Sequence, residues 1–301
     1  MSLADVLPRS YLYGPGSNSR ILQKVLGAGA DAVILDLEDA VPAAEKSSAR
    51  AAVAALVRTS ATTAPCEVHV RINVTATGGF DLDDLRAVVA PGLDALRLPK
   101  CEDPASVQEV AAALDGLERS EGMEVRSIRL YPTIESVRGL DRAAELATCS
   151  PRVATLVYGP ADLAADLGIP EPDDRDATLL ARSSLVLACR LAGVGAPVDG
   201  AYTRIQDLEG LERTATWSRR LGFGGKSALH PRQVPVLHRV FTPSEAEVAH
   251  ARAVVDSLAD GRAVAMVDGG FVDPAVVARA HDVLARHDRH VRPVSQEGGA
   301  S

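Results

Sequence analysis

Carboxylates and cations recur at the ends of short aliphatic runs in this chain. ILDLEDA carries Asp36, Glu38 and Asp39, VRIN carries Arg71, LRLPK carries Lys100, YPTIES carries Glu135 and YGPADL carries Asp162. Two carboxylates converging from neighbouring strand ends can offer oxygen ligands to a hard cation. Mg²⁺ is typically held by one or two such groups, with substrate and water completing the octahedron. Glu135 and Asp162 form that candidate pair, and the absence of histidine or cysteine beside them argues against zinc. The competing reading is that each acid caps the helix following its strand. Arg71 lies on an apolar strand with Val68 and Val70, where a guanidinium suits a bidentate grip on a small carboxylate. A structural salt bridge with the DLED acids is the alternative, and Lys100 has the same two readings. Asp36, Glu38 and Asp39 are candidate partners for these cations, or else a solvated acidic loop.

Other motifs say less. Gly14-Pro15-Gly16-Ser17-Asn18-Ser19 follows a strand and opens a helix, with Asp36 and Glu38 about 20 residues on, as in a dinucleotide fingerprint. The third glycine of that fingerprint is replaced by Ser19, and a turn with Ser17 or Asn18 capping the helix reads better. His230 falls at the end of an eighth strand, and His69 alternates with Arg71 so that both can face one side. His238, His250, His281, His287 and His290 fall in helical or tail segments. No serine nucleophile elbow, HExxH or Walker sequence is present.

The elements that must position these residues follow one rhythm, a short strand, a polar loop and an alanine-rich amphipathic stretch. Strands are expected at 10–13, 32–36, 67–72, 95–98, 127–132, 153–158, 195–198 and 222–227. Helical patterns lie near 18–29, 44–58, 80–90, 104–116, 136–147, 175–193, 207–220 and 231–239. Such alternation marks parallel βα units, and eight units in about 240 residues fit a (β/α)8 TIM barrel, whose active site lies at the C-terminal strand ends. An open doubly wound sheet is the rival. Asp103-Pro104 supplies a capping residue and a first-turn proline, and Ser244-Glu245-Ala246-Glu247 reads as a capping box. The expected organisation is a barrel over 1–240 and a C-terminal extension over 241–301. That extension contains a helix at 244–259, the MVDGGFVD segment as a lid or an arm to a neighbouring subunit, a helix near 274–287, and a disordered tail, VSQEGGAS.

Composition bounds the function. The chain has 301 residues, with 47% hydrophobic and 24% charged, which is ordinary for a globular protein. Its net charge of −8 and 3% aromatic content argue against nucleic acid, which wants a basic stripe and stacking platforms. No apolar run is long enough to span a membrane, and MSLADVLPRS lacks the pattern of a secretory signal. Cys66, Cys101, Cys149 and Cys189 have no metal-binding or redox spacing, so a reducing cytoplasm is expected.

Beyond these readings, RSYLYGPGSNSRILQKVLGAGADAVILDLEDAVPAAEKSSAR resembles the opening of the citrate lyase β-subunit-like branch of the HpcH/HpaI aldolase family. RINV, LRLPKCEDPASV, YPTIES, GPADLAADLG, GKSALHPRQV and GGFVDP follow in that family's order, over residues 9 to about 287. The resemblance implies a TIM barrel and Mg²⁺. It also implies making or breaking a carbon–carbon bond in a 3-hydroxyacyl-CoA of the citryl-, malyl- or citramalyl-CoA type, through an oxo acid and a thioester enolate. By motif, Glu135 and Asp162 match the metal ligands, and Arg71 matches the arginine that grips the oxo-acid carboxylate. Asp273 matches an aspartate for acid/base chemistry, often working in a neighbouring subunit. The implied partners are an oxo acid, an acyl-CoA and further copies of the chain in a homotrimer or hexamer. An acyl-carrier-bound subunit of a larger complex is the alternative, with an NAD-binding oxidoreductase suggested only by GPGSNS. The chain departs from the family at Phe271, where methionine is usual, and at Tyr13-Gly14, where phenylalanine-valine is usual.

Overall fold

A computed structural model describes residues 7–257 and 265–291; the expected disordered tail, 294–301, lies outside them. The chain divides into two compact units, Leu7–His238 and one formed from Arg239 onward.

In the first unit eight parallel strands close on themselves: β1 (Ser10–Pro15), β2 (Ala32–Asp36), β3 (Glu67–Arg71), β4 (Ala95–Leu98), β5 (Arg129–Ile134), β6 (Val157–Tyr158), β7 (Val198–Asp199) and β8 (Gly225–Ala228), with β8 pairing back to β1. Helices α1 (Ser19–Val25), α2 (Lys46–Ser60), α3 (Leu82–Val88), α4 (Pro104–Ser120), α5 (Val137–Asp141), α6 (Ala143–Thr148), α7 (Pro160–Leu167), α8 (Arg175–Ala192) and α9 (Leu208–Leu221) alternate with them. This is the (β/α)8 barrel, and closure removes the open sheet as a rival. Strand residues such as Val33, Val68 and Leu96 are fully buried, as expected of parallel strands covered on both faces. Asp81, Asp103, Asp174 and Asp207 each accept backbone N–H bonds at a helix start, where the unpaired amides of the first turn favour a carboxylate. These four acids are therefore accounted for by capping.

The barrel interior is filled in layers. Tyr11, Ile34, Ala95, Tyr131, Val157 and Val198 form its apolar centre. Arg97 lies with its guanidinium 4.3 and 4.4 Å from the ring centroids of Tyr11 and Tyr131, a cation–π arrangement that offsets part of the cost of burying charge. Its Nε donates to His69 Nδ1 at 3.2 Å. Between barrel and helices, Asp199 receives Lys226 and Arg182, each at 2.6 Å, with all three side chains buried.

Several boundaries shift, the fifth strand to Arg129–Ile134, the seventh to Val198–Asp199 and the eighth to Gly225–Ala228, and two changes go further. The strand expected at 153–158 shrinks to Val157–Tyr158, preceded by an isolated bridge of Val153 to Leu130, and between them the Thr155 hydroxyl bonds the carbonyls of Gly195 and Ala196, at 2.9 and 3.0 Å. The helix expected at 136–147 breaks into α5 and α6 at Arg142, whose backbone leaves the helical region (φ −99°, ψ 14°). Helix α7, opened by Pro160 at its first position, was not expected from the periodicity.

After helix α10 (Val234–Phe241), the second unit contains α11 (Glu245–Ser257), the antiparallel hairpin β9 (Ala265–Val267) and β10 (Gly270–Val272), and α12 (Pro274–Val291). Ser244 and Glu247 exchange the bonds of a capping box. The hairpin turns at Asp268-Gly269, both at positive φ, as a two-residue hairpin turn requires. Ala251, Val254, Val272 and Ala280 form the core of this unit.

Candidate active site

The strand ends converge on a cavity of about 440 Å³ lined by Tyr13, Asp36, Arg71, Glu135 and Asp162, among others. The register explains part of this convergence: Asp36 is the last residue of β2 and pairs with Arg71, the last of β3. The loop after β2 folds over them because Asp36 accepts the N–H groups of Glu38 and Ala40, at 2.9 and 3.2 Å. Lys46 secures it from α2, its ammonium donating to the carbonyls of Leu37 and Glu38 and to Asn73 Oδ1.

Arg71 is engaged on two sides. Its Nε and Nη2 donate to the two oxygens of Asp36 at 2.7 and 2.6 Å, and its Nη1 lies 2.9 Å from Glu38 and 3.6 Å from Asp39. Its Cζ is 5.1 Å from the Tyr13 ring centroid. Burial alone would lower its pKa, but Tyr13, Asp36 and Glu38 hold it protonated more firmly than usual. The salt-bridge reading of Arg71 is thus real, and it constrains the other. Asp36 holds the bidentate edge, so an incoming carboxylate must meet Nη1 and the remaining Nη2 hydrogen.

Glu135 does not cap the next helix. Ser136 does so, its Oγ accepting the Gly139 N–H at 3.1 Å, which leaves the Glu135 carboxylate to the cavity. That carboxylate is buried and receives one hydrogen bond, from the Lys100 backbone N–H to Oε2 at 3.1 Å. Burial, with Glu38 and then Asp162 adding negative potential against Arg71, pushes its pKa up to about 7. Asp162 sits in the first turn of α7, exposed, and lines the same cavity. Neither histidine nor cysteine lines it. Among the described residues no group of three His, Cys, Asp or Glu side chains assembles as a metal cage. Two carboxylates with no imidazole or thiol beside them fit a hard ion that completes its shell with substrate and water.

The other candidates separate. Lys100 pairs through its ammonium with Glu38 and, at 3.2 Å, with Asp39, and burial keeps Glu38 raised against both cations. His69 points inward with Arg71 but one layer lower, fully buried against Tyr11 and Tyr131. His230 caps a short turn by accepting the Arg232 N–H. The Asn18 side chain accepts the Ile21 N–H at the start of α1, as the turn-and-cap reading of GPGSNS expects. Asp273 belongs to the second unit, where Oδ1 accepts the N–H groups of Ala275 and Val276, both at 2.9 Å, at the start of α12. The sequence reading missed Tyr13, Lys46 and Gly159. Lys46 gives no local signal, because its partner Asn73 is 27 residues away, whereas Gly159 between a strand and a helix-opening proline was a visible cue.

Comparison with known proteins follows the same lines. Residues 9–231 match the family described as HpcH/HpaI aldolase/citrate lyase. The chain is 34% identical over 282 residues to the citrate lyase subunit beta of Leuconostoc mesenteroides subsp. cremoris, covering 92% of each. It is 35% identical over 286 residues to the (3S)-malyl-CoA thioesterase of Cereibacter sphaeroides, covering 92% of this chain and 94% of that one. Among solved structures, CitE from Mycobacterium tuberculosis in complex with magnesium, acetoacetate and coenzyme A superposes with a TM-score of 0.73 at 29% identity, over 95% of this chain and 99% of that one.

Proposed function

The chain belongs to the HpcH/HpaI aldolase/citrate lyase family, and we propose that it is a Mg²⁺-dependent carbon–carbon lyase or synthase acting on a 3-hydroxyacyl-CoA. The observation that carries this reading is Glu135, a buried carboxylate with its pKa raised to about 7, turned with Asp162 into a cavity that also holds Arg71. Glu135 and Asp162 would hold the ion. Bound there, Mg²⁺ would polarise the carbonyl of an α-oxo acid as a Lewis acid.

The remaining work falls to the chain. Arg71 neutralises the oxo-acid carboxylate and favours the alkoxide that develops as the bond is made or broken. Asp36 and Tyr13 hold its plane fixed, so this stabilisation is preorganised. In the cleavage direction the 3-hydroxyl gives its proton to water in the cavity, the resulting alkoxide collapses to the oxo-acid carbonyl, the carbon–carbon bond breaks and the electron pair leaves as the thioester enolate. Asp273 is the proposed group that protonates this enolate, or removes the acyl-CoA proton in the reverse direction.

The proposed partners are small molecules, an oxo acid and an acyl-CoA. No helix among the described residues is long and apolar enough to cross a membrane, and a cytoplasmic location agrees with the scattered free cysteines. Self-association as a trimer or hexamer is the proposed assembly, supported by α8, which exposes Leu180 (78%), Leu187 (63%) and Leu191 (81%) along one face. A second reading, a lyase subunit that works on a carrier-bound acyl group within a complex, draws on relatives named subunit beta.

The test is mass spectrometry of the purified chain with Mg²⁺ and a panel of 3-hydroxyacyl-CoA esters. Turnover should be lost in Glu135→Ala and in Asp162→Ala. Full activity in either variant would refute the metal assignment, and inactivity of the unmodified chain on every free CoA ester would favour the carrier-bound reading.

A further inference from the structure

Glu135 is held by backbone from both sides, and this has a consequence for which cation it can take. On one side is Lys100, just after β4. Its backbone sits in the left-handed region at φ 51°, which a side-chain-bearing residue adopts only at a cost. That conformation directs the Lys100 N–H at Glu135 Oε2, 3.1 Å away, while the next amide, of Cys101, returns to the barrel by donating to the Thr133 carbonyl at 3.0 Å. On the other side is Gly159, just after β6, whose N–H donates to the Ile134 carbonyl at 2.9 Å. The Glu135 side chain lies flat against its α-carbon. A Cβ at position 159 would sit 2.2 Å from Glu135 Cγ and 3.0 Å from both Cδ and Oε1. The glycine backbone angles, φ −102° and ψ 92°, are open to any residue, so the space is kept for Glu135 and not for the turn.

We propose that Lys100 and Gly159 are positioning residues that make Glu135 a one-oxygen ligand: the Lys100 amide occupies Oε2 and the bare α-carbon of Gly159 leaves Oε1 free to face the cavity. This rests on the metal reading above and deepens it. An oxygen that already accepts an N–H keeps a lone pair but has part of its charge drawn into that bond, so the carboxylate meets a cation chiefly through the other oxygen. Mg²⁺ is small and demands near-ideal octahedral geometry, which single-oxygen ligands satisfy, whereas Ca²⁺ readily takes carboxylates through both oxygens. The cradle therefore favours Mg²⁺ over Ca²⁺ before any substrate arrives. The Lys100 ammonium has a separate task, pairing with Glu38 and Asp39, and does not touch Glu135.

Isothermal titration of the full chain with MgCl₂ and with CaCl₂ separates these roles, with thermal melts confirming that each variant is folded. Lys100→Gly loses the ammonium but tolerates the left-handed backbone, and should bind Mg²⁺ within about threefold of the parent. Lys100→Val loses the ammonium and resists that backbone, and Gly159→Ala pushes the carboxylate aside. Each should weaken Mg²⁺ by about 10- to 100-fold, the usual loss when a group supporting a ligand is removed. In Lys100→Val the loss for Ca²⁺ should be smaller than for Mg²⁺, because Oε2 is released. Parental Mg²⁺ affinity in Gly159→Ala or Lys100→Val overturns the proposal, as does a loss in Lys100→Gly equal to that in Lys100→Val. If Lys100→Val does not fold, Gly159→Ala decides the matter alone. No Mg²⁺ binding by the parent chain would instead refute the metal reading itself.

Discussion

His69, one layer below the site, ties stability to pH in a way that can be worked out from its surroundings. It is fully buried inside the barrel. The groups that face it are Glu67 on its own strand, Arg97 on β4, Tyr11 on β1, and Tyr131 and Arg129 on β5. Arg97 donates to Nδ1 and Nε2 lies 3.2 Å from Glu67, so the ring is neutral with its proton on Nε2. A second proton would have to replace the bond from Arg97 and place a charge beside an existing one in a dry interior. Burial, reinforced by the positive charges of Arg97 and Arg129 and only partly offset by Glu67, lowers the pKa to about 4. Unfolded, the residue titrates near 6.5. Above pH 6.5 neither state is protonated and the residue is silent. As pH falls below 6.5 the unfolded chain gains a proton that the folded one does not accept until about pH 4, so stability falls across that window.

The size follows from the difference between the two protonation equilibria. It is about 2 kcal/mol lost between pH 7.5 and pH 5, and about 3 kcal/mol once pH 4 is reached. The tyrosines and arginines keep their charge states throughout. Carboxylates elsewhere contribute their own pH dependence, so the measurement is a difference between proteins. In His69→Gln the amide can still accept from Arg97 and donate to Glu67 but cannot titrate. Urea unfolding of the parent and of His69→Gln at pH 7.5 and pH 5 should show the parent losing about 2 kcal/mol more than the variant. Parallel losses in the two proteins would mean that His69 is not held neutral, and the argument from its burial would fail.

Other outcomes follow from the same geometry. Asp199→Asn strands Lys226 and Arg182 in the interior without their counter-charge and should cost about 3–5 kcal/mol, read as a large fall in melting temperature. Asp273→Asn keeps a residue able to cap α12 while removing the carboxylate, so it should abolish proton exchange at the acyl-CoA α-carbon without changing the melting temperature; unaltered exchange would remove Asp273 from the chemistry. Replacing Leu180, Leu187 and Leu191 together by serine should lower the mass measured by light scattering if α8 joins copies of the chain, and an unchanged mass would move the interface elsewhere.

What could be read from the sequence divides by range of interaction. The barrel was legible because its cause is local and repeated: each βα unit is announced by an aliphatic run, a loop and an amphipathic helix. The capping residues Asp103 and Ser244 were legible for the same reason, since their partners lie within three residues. Less legible were contacts at long range, such as the Thr155 hydroxyl on the Gly195 and Ala196 carbonyls, because nothing around Thr155 announces a partner 40 residues away. In the site, residue types and strand ends nominated Arg71, Glu135 and Asp162, but their states of engagement depend on contacts from other strands. Arg71 was open to two readings until the β2–β3 register set Asp36 beside it.

That engagement bears on how the site would work. Asp36 fixes the plane of Arg71 through two bonds, and Glu38 and Asp39 lie against the one terminal nitrogen left over. An anionic substrate approaching Nη1 must therefore displace the hold of Glu38, which Lys100 also grips from the far side. In the proposed reaction the ammonium would make this displacement feasible, because it keeps Glu38 paired while Arg71 Nη1, its plane still fixed by Asp36, is given over to substrate. Without it, a buried carboxylate would be left facing both the substrate anion and Glu135, and like charges in a desolvated site repel strongly. On the proposed reading, the acidic loop after β2 would thus serve two states of one Arg71 nitrogen, holding Nη1 in the arrangement seen here and yielding it, with Lys100 as the second cation for Glu38, when an anion binds.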